Sequence, residues 1–298
     1  MRFKLAKDSE LHESFDNIAN IYDETRAIPD TILKEFYEKL IKKGINFNNS
    51  IILDGGIGTG RTILPLLVYD IDLLGLDKSI EMLNILKNKY SVSENKKKIT
   101  LIVGDISYIP FKESSFDIVI LIQLLHLVKN RKEVINEVMR VLKPNGFLVI
   151  GGLTSPALAS KVYKKYISLS SKYRIGEKFK NTILNILYLF NKSRYTRNIV
   201  KPFLEIYDPE FYINSLATSM EKDEIVLTED INTYDVFKRL NNRYHTFQWD
   251  IPIKKHKKIM LNLKKWIDDK ENHVTAQEKI SRHFSIIIAH FGEIHENK

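Results

Sequence analysis

The residues best suited to chemistry lie in one glycine-rich turn, Asp54-Gly55-Gly56-Ile57-Gly58-Thr59-Gly60, between an apolar run and a helical one. Glycine has no Cβ, so the backbone can turn sharply there and a ligand can approach it closely. Free N–H groups at the start of the following helix favour an electronegative edge of a ligand. The turn therefore predicts a binding site, and three known patterns compete to explain it.

Two of these patterns need a residue that the chain does not have. The dinucleotide fingerprint G-x-G-x-x-G, counted from Gly56, would place its third glycine at Arg61. The phosphate loop G-x-x-x-x-G-K-[ST] fits Gly55 to Thr62 except at Arg61, where a planar guanidinium does not replace a compact ammonium. It stays as the minor alternative, with the run 73–77 as its metal-binding partner strand. The third pattern, an acid followed by G-x-G-x-G, fits without a substitution.

Two further acids follow the next two apolar runs of the chain. Asp77 can accept hydrogen bonds from both hydroxyls of a ribose, or it can cap the helix expected over 79–89. Asp105 can accept from the exocyclic amine of adenine while Ile106 packs on the ring, or it can be an ordinary turn aspartate. Each acid alone is ambiguous. Together with Asp54 they favour one shared site for an adenosine-containing ligand.

The elements that would position these residues alternate between strands and helices. The expected strands span 50–54, 72–77, 100–104, 116–122 and 146–151. Helices are expected over 59–69, 79–89 and 131–142, and 9–44 is helical with a break before Pro29. Apolar strands alternating with helices predict a parallel sheet covered on both faces. Ligands bind such a sheet at the carboxyl ends of its strands, where the turn and both acids fall.

The alternation ends after Gly152. Residues 155–215 are predicted to be mostly helical, aromatic and basic, followed by a strand near 224–228, a helix over 252–269 and a last strand over 284–290. We expect a helical lid that precedes the final strands of the sheet. The expected segments are 1–44 as helices that cap the cofactor site, 45–152 as the binding core, 153–222 as the basic helical lid, and 223–298 as the strands and helix that complete the sheet.

These motifs resemble those of the class I S-adenosylmethionine-dependent methyltransferases of the small-molecule kind, strongly over about 12–152 and loosely beyond. The matching motifs are 54–60, Asp77, Asp105-Ile106, 109–111, 116–119 and 140–146. The resemblance implies a three-layer Rossmann-like α/β fold, a seven-stranded, mostly parallel sheet with its last strand antiparallel, and S-adenosyl-L-methionine as cofactor. The cofactor-binding residues that it implies are Tyr22, Asp54, Gly55, Gly56, Gly58, Gly60, Asp77, Lys78, Met82, Asp105, Ile106, Ile122 and Gln123.

The resemblance makes methyl transfer to O, N or C of a small or medium-sized acceptor the expected reaction. The sulfonium carbon is already activated, so the protein mainly has to align the acceptor and exclude water. Where the acceptor must lose a proton, His126, just past the fourth strand, is the candidate general base; a structural role at a loop–helix junction is the favoured alternative. Tyr244, His245 and Trp249 are candidates for the acceptor pocket, although core packing would equally explain them.

Composition narrows the remaining possibilities. The chain has 298 residues and no cysteine, which excludes disulfides, a zinc–thiolate site and a cysteine nucleophile, including the usual C5-pyrimidine methylation mechanism. No metal site is expected. The start of the chain does not resemble a secretory signal, so we expect a cytoplasmic protein.

Charge is concentrated in one part of the chain. The formal net charge is +9, and 161–201 carries eleven Lys or Arg against one acid, Glu177. Such a field suits an acidic partner, so the expected small-molecule acceptor could itself be acidic. RNA or an anionic membrane surface is the less favoured partner, and a solvated lysine face explains the charge equally well. An RNA or protein methyltransferase, and a regulator that binds the cofactor without catalysis, are the alternative functions.

Overall fold

The computed structural model describes residues 15–26, 28–92, 99–128, 130–153, 160–173, 213–214, 216–245, 248–249, 251–269 and 274–292. The predicted lid has most of its basic residues between 174 and 201, and these residues lie outside the described ranges. Within the described part of the chain, no helix combines the length and the apolar character needed to cross a bilayer.

Seven strands form one sheet. They are β1 (Ser50–Gly55), β2 (Ile71–Asp77), β3 (Ile99–Val103), β4 (Phe116–Ile122), β5 (Leu142–Leu153), β6 (Ser219–Asn232) and β7 (Gln277–Phe291). The central strands are mostly apolar because both of their faces are covered. In β4, for example, Val119, Ile120 and Leu121 have no exposed surface.

The strand order is β3-β2-β1-β4-β5-β7-β6. β1 pairs in parallel with both β2 and β4, β2 with β3, and β4 with β5. β7 runs antiparallel to β5, with Gly146 opposite Phe291 and Leu153 opposite Phe284. The predicted fold class, including the antiparallel last strand, is confirmed. The order reverses between β1 and β4, which places the ligand crevice of such a sheet at their carboxyl ends.

Eight α-helices are described. They are α1 (Phe15–Ile18), α2 (Tyr22–Thr25), α3 (Asp30–Lys42), α4 (Ile80–Val92), α5 (Arg131–Val141), α6 (Lys161–Ser170), α7 (Thr233–Asn241) and α8 (Ile253–Asp268). Short 3-10 turns add Ala19–Ile21, Leu64–Val68 and Ser171–Tyr173. The predicted helices over 79–89, 131–142 and 252–269 correspond to α4, α5 and α8, whereas α7 was not predicted.

Two local expectations are wrong. The helix predicted over 59–69 is a turn followed by the 3-10 segment Leu64–Val68. The positive φ of Gly60, 75°, does not suit a right-handed helix, and Pro65 stands at the start of the 3-10 turn. The fifth strand, expected from residue 146, begins at Leu142 instead, and its pairing with β4 shifts register around Asn145, which has a φ of 65°.

The chain divides into two compact units. The sheet unit holds α3–α5, β1–β5, β6 up to Ile225 and β7 from Phe284; the helical unit holds α1, α2, α6–α8, β6 from Val226 and β7 up to His283. Arg140 supports the sheet unit: its guanidinium donates to the carbonyl oxygens of Phe111 (2.7 Å) and Ile109 (2.9 Å). The roles of the four segments predicted from the sequence stay predictions.

A buried histidine lies in the core of the helical unit. His256 on α8 is 1% exposed; its Nδ1 lies 3.0 Å from the hydroxyl of Tyr166 and its Nε2 lies 3.1 Å from the carbonyl oxygen of Asn241. Because a carbonyl only accepts, Nε2 carries the proton and Nδ1 accepts from the tyrosine. Burial, and after it the charge of Arg243, lower the pKa of His256 to about 4, against the hydrogen bond to Asn241. The imidazole is therefore neutral at pH 7.

Candidate functional site

The glycine turn after β1 lies at the switch point of the sheet. It is tied to β2 because the N–H groups of Gly56 (2.7 Å) and Ile57 (3.2 Å) both donate to the carbonyl oxygen of Leu76. Gly58 has a φ of 55°, and a Cβ placed there would meet no atom closer than 3.9 Å. A Cβ at Gly58 would therefore make only ordinary van der Waals contacts, so this position of the turn is not tightly packed.

Asp54, the acid that opens the turn, is buried. It is 2% exposed, and its Oδ2 has no hydrogen-bond partner among the described residues. Burial, and after it the charge of Asp77, raise the pKa of the carboxyl to about 8. Burial, and after it the charge of Asp54, raise the pKa of the Tyr37 phenol, whose hydroxyl donates to the carbonyl oxygen of Thr62. The carboxyl is therefore neutral at pH 7, and a nearby cation would favour its ionised form.

Asp77, at the end of β2, accepts two backbone hydrogen bonds. Its Oδ2 accepts from the N–H of Gly58 and its Oδ1 from the N–H of Ser79, at 2.8 and 2.9 Å. The helix cap falls to Ser79, whose Oγ accepts from the N–H of Met82 at 3.2 Å. Asp77 thereby ties the glycine turn to the start of α4. Met82 itself is buried in the core.

Asp105 follows β3, and the N–H of Gly104 beside it donates to the carbonyl oxygen of Asp77 at 2.9 Å. Asp105 pairs with Lys78 at 2.6 Å and accepts from the N–H of Ser107 at 2.9 Å. Partial burial opposes its charge, but these hydrogen bonds hold the pKa of Asp105 below its usual value. The acids after β2 and β3 therefore lie at neighbouring strand ends, as predicted from the sequence.

Ile106 lies beneath the glycine turn. Its side chain is buried, and its Cδ1 would be 2.5 Å from a Cβ placed on Gly55. Only glycine fits at this position without displacing the isoleucine. Gly60 has the same relation to Leu86, whose Cδ1 would lie 2.3 Å from an added Cβ. Gly55 and Gly60 therefore allow close packing, whereas a Cβ placed on Gly58 would meet no atom closer than 3.9 Å.

The end of β4 bends at Gln123. The residue has a φ of 58°, its N–H donates to Gly151 O at 2.8 Å, and its Nε2 donates to Leu153 O at 2.7 Å. Non-glycine residues in this region of φ cost energy and concentrate at functional sites. Ile122, just before the bend, is buried. Leu124 follows the bend, and its Cδ1 would lie 2.8 Å from a Cβ placed on Gly56. The bend therefore brings the chain against the glycine turn.

His126 lies beyond this bend. The residue as a whole is exposed to solvent. Desolvation of the ring, followed by the positive charges of Arg26 and Arg131, lowers the pKa of His126 to about 4. Arg131 is itself held by a 2.8 Å hydrogen bond from its Nε to the carbonyl oxygen of Leu125.

The remaining sequence-predicted residues belong to the helical unit. Phe15 joins two of them, with its ring centroid 6.2 Å from that of Tyr22 and 5.2 Å from that of Trp249. His245 stacks edge-on against Tyr163 at 5.6 Å. Hydrogen bonds within 241–251 include those from Asn242 Nδ2 to the Tyr244 hydroxyl (3.1 Å), from Trp249 Nε1 to Arg243 O (2.8 Å) and from Arg243 Nη2 to Trp249 O (3.0 Å). The predicted roles of these residues at the cofactor and acceptor stay predictions.

Sequence reasoning missed several residues beside the site. Lys89 on α4 donates to the carbonyl oxygen of Thr59 at 3.0 Å and so holds the turn from the far end of the helix. Tyr37, Arg26 and Arg131 were also not singled out. Arg131 lies at the start of a predicted helix close to His126, which was a usable signal. Tyr37 gave none, because it is one of several aromatic residues on an amphipathic helix.

Comparison with known proteins agrees with this geometry. A family model described as "Methyltransferase domain" matches residues 53–150. A demethylmenaquinone methyltransferase of Chlamydia caviae is 30% identical over 167 residues, which cover 53% of this chain and 70% of the relative. A ubiquinone/menaquinone biosynthesis C-methyltransferase of Geotalea daltonii is 31% identical over 159 residues, which cover 52% of this chain and 68% of the relative.

A solved structure of Haemonchus contortus phosphoethanolamine N-methyltransferase 2, in complex with phosphomonomethylethanolamine and S-adenosylhomocysteine, is also similar. It is 15% identical, with a TM-score of 0.49, and the match covers 93% of this chain and 58% of that chain.

The chain belongs to the class I S-adenosylmethionine-dependent methyltransferases. It is an enzyme that uses S-adenosyl-L-methionine to methylate a small-molecule acceptor.

Proposed function

We propose that the carboxyl ends of β1, β2 and β3 hold S-adenosyl-L-methionine, with Asp54 at its amino-acid end, Gly58 beside it, Asp77 at the ribose and Asp105 at the adenine. The observation that carries this proposal is the buried, unpartnered Oδ2 of Asp54. A buried polar atom without a partner is costly, and an ammonium group would satisfy it. The loose packing at Gly58, where an added Cβ would meet no atom closer than 3.9 Å, supports a ligand beside the same turn.

The other cofactor-site residues implied by the resemblance fall into groups according to the contacts that they make. Gly55, Gly60, Met82 and Ile106 support the site through close packing, since each lies at or against a buried side chain. Lys78 orients Asp105 through its ion pair. The bend at Ile122-Gln123 positions Leu124 against Gly56. Tyr22 stays a proposed cofactor contact.

When bound, the cofactor supplies a methyl group on a sulfonium sulfur that leaves as a neutral thioether. The residues of the chain then have to orient the acceptor and to remove its proton. We assign the proton to the imidazole of His126, which is neutral at pH 7 because of its lowered pKa. The positive charges of Arg26 and Arg131 would stabilise the negative charge left on the acceptor.

The acceptor that fits these groups is a hydroxylated aromatic ring of the quinol type, methylated at a ring carbon. The demethylmenaquinone and ubiquinone/menaquinone names of the relatives point to this class. The charge pattern at His126 supports it, because a phenol must lose its proton before its ring carbon becomes strongly nucleophilic. An acidic hydroxyl also agrees with the acidic acceptor expected from the sequence. The expected cytoplasmic location is kept as part of this proposal.

The test combines calorimetry with an acceptor panel. S-adenosylhomocysteine should bind the purified chain, and radiolabelled methyl from S-adenosylmethionine should appear on a demethylated naphthoquinol with a short isoprenoid tail. The variant His126→Asn should lower kcat at least tenfold while S-adenosylhomocysteine affinity stays within about twofold, since general bases typically contribute 10²–10⁴-fold.

Three results would contradict parts of this proposal. Methylation of RNA or protein without methylation of the quinol would replace the acceptor class. Tight cofactor binding without turnover on any acceptor would favour the regulator. Equal loss of cofactor affinity and turnover in His126→Asn would assign the histidine a structural role.

A further inference from the structure

One face of α8 is strongly basic. Lys254, Lys258, Leu261 and Lys265 are all exposed, and their spacing of four, three and four residues places them on one stripe of the helix. The opposite stripe is buried and consists of His256, Ile259, Met260 and Leu263. None of the three exposed lysines has an acidic partner within the described ranges. Within the described ranges, no acidic side chain therefore neutralises the positive charge of this stripe.

The start of α8 makes this arrangement costly for the helix itself. Its first turn contains lysines and no acid, and no side chain caps it. Positive charge near a helix N-terminus is unfavourable because the helix dipole is also positive there. The dipole of α8 therefore does not favour lysines at this position, and Lys254 has no stabilising contact among the described residues that would offset it.

The neighbouring helix α6 extends the basic surface. Lys161 and Lys164 are exposed on it. Lys165 lies 5.5 Å from the ring centroid of Trp266 on α8, and Lys255 lies 5.3 Å from that of Tyr173 just after α6. These two contacts pin lysines along the seam between the helices. Three of the described acids lie near this surface. Asp268 pairs with Lys264, Asp269 follows the end of α8, and Glu278 accepts from the N–H of Lys161.

We propose that this surface, formed by Lys161, Lys164, Lys254, Lys258 and Lys265, binds the anionic headgroups of a lipid bilayer. Lys254 and Lys265 are eleven residues apart, about 16 Å along the helix, which suits a flat, repeating array of negative charge. Leu261, which is 44% exposed between them, adds an apolar contact with the headgroup region.

The same surface is less suited to single-stranded RNA. Base recognition by such proteins depends on aromatic side chains that are open for stacking. Here the two rings on the surface, Trp266 and Tyr173, each have one face covered by a lysine. The choice of a bilayer also rests on the proposed function, since an isoprenoid acceptor would be dissolved in lipid.

The test uses the full chain and sedimentation with vesicles. Vesicles of phosphatidylcholine with about 30% phosphatidylglycerol should bind it, and vesicles of phosphatidylcholine alone should not. Each lysine near an anionic surface contributes about fivefold to partitioning, so the triple variant K254Q/K258Q/K265Q should bind roughly a hundredfold more weakly. The matched control is K34Q/K87Q/K112Q, which removes the same charge from exposed lysines of the sheet unit and should bind nearly as well as the wild type.

The proposal is overturned if both triple variants lose binding equally, because net charge alone would then explain it. It is also overturned if K254Q/K258Q/K265Q binds vesicles normally, or if the wild type ignores vesicles and binds a single-stranded oligonucleotide through these lysines. Calorimetry with S-adenosylhomocysteine on the same preparations keeps the two proposals apart. Vesicle binding without cofactor binding would reject the proposed function and leave the surface standing.

Discussion

The Oδ2 of Asp77 accepts a hydrogen bond from the backbone N–H of Gly58 at 2.8 Å, which ties the acid after β2 to the glycine turn after β1. One carboxylate thus shapes the turn, and under the proposed function it also accepts from the ribose of the ligand. The two roles differ in their energetic consequences, so they can be separated by experiment.

The variant Asp77→Asn should weaken S-adenosylhomocysteine binding roughly ten- to hundredfold, because hydrogen bonds to a charged group contribute about 1.5–3 kcal/mol. Calorimetry measures this directly. The matched control is Ser79→Ala, which removes the cap of α4 and should cost about 1 kcal/mol of stability with little effect on affinity. If Asp77 contacts the ribose, an analogue without ribose hydroxyls should bind the wild type and Asp77→Asn equally weakly. If Asp77→Asn bound this analogue still more weakly than the wild type does, Asp77 would act only through its hydrogen bond to the turn.

Two glycines with similar backbone angles should respond differently to alanine. Gly58 and Gly60 both have positive φ, so both substitutions carry a backbone strain of about 1–2 kcal/mol. A methyl at Gly58 would meet no atom closer than 3.9 Å, so Gly58→Ala should fold but lose S-adenosylhomocysteine binding at least tenfold. A methyl at Gly60 meets Leu86, so Gly60→Ala should lose about 1–3 kcal/mol more in denaturant unfolding. Equal loss of affinity in both variants would place the ligand elsewhere.

Cofactor binding should be linked to proton release from Asp54. The carboxyl is protonated below about pH 8 in the free protein, and the ammonium group of the ligand stabilises its ionised form. Affinity for S-adenosylhomocysteine should therefore rise as pH rises, approaching tenfold per unit between about pH 6 and 7.5. Calorimetry in two buffers of different ionisation enthalpy counts the released proton. Asp54→Asn should show neither the slope nor the release, and a flat wild-type profile would exclude contact between Asp54 and the ammonium.

The helical unit should lose stability in mild acid because His256 is buried in its neutral form. Its pKa of about 4 lies below the ordinary value of 6.5, so its contribution is complete above pH 6.5 and is lost as pH falls towards 4. The full loss is about 3 kcal/mol. Denaturant titrations at several pH values should show it in the wild type and a shallower decline in His256→Gln. Parallel declines in both proteins would assign the acid sensitivity to other groups.

The sequence predicted the part of the site that depends on short-range pattern. Each of the three acids lies at the end of a short apolar run, so Asp54, Asp77 and Asp105 could be assigned to neighbouring strand ends before any contact was known. The same local logic failed over 59–69, because the apolar spacing of a helix outweighed Gly60 and Pro65 in the prediction.

Features that depend on distant residues could not be predicted. The missing partner of Asp54 Oδ2 is a property of everything packed around it, and the effect of Arg26 on His126 joins residues one hundred positions apart. The basic stripe on α8 was also missed, although its lysines are visible in the sequence. Which side of a lysine-rich helix faces solvent follows from the packing of His256 and Leu263, and that packing involves α6 from another part of the chain.

The position of β7 has a consequence for how the protein is made. β5 ends at Leu153, and its antiparallel neighbour begins pairing with it only at Phe284. During synthesis, one edge of β5 therefore stays unpaired until more than a hundred further residues have left the ribosome. An open strand edge invites pairing with other chains, so interrupted translation products that stop before β7 should be prone to aggregate or to need a chaperone.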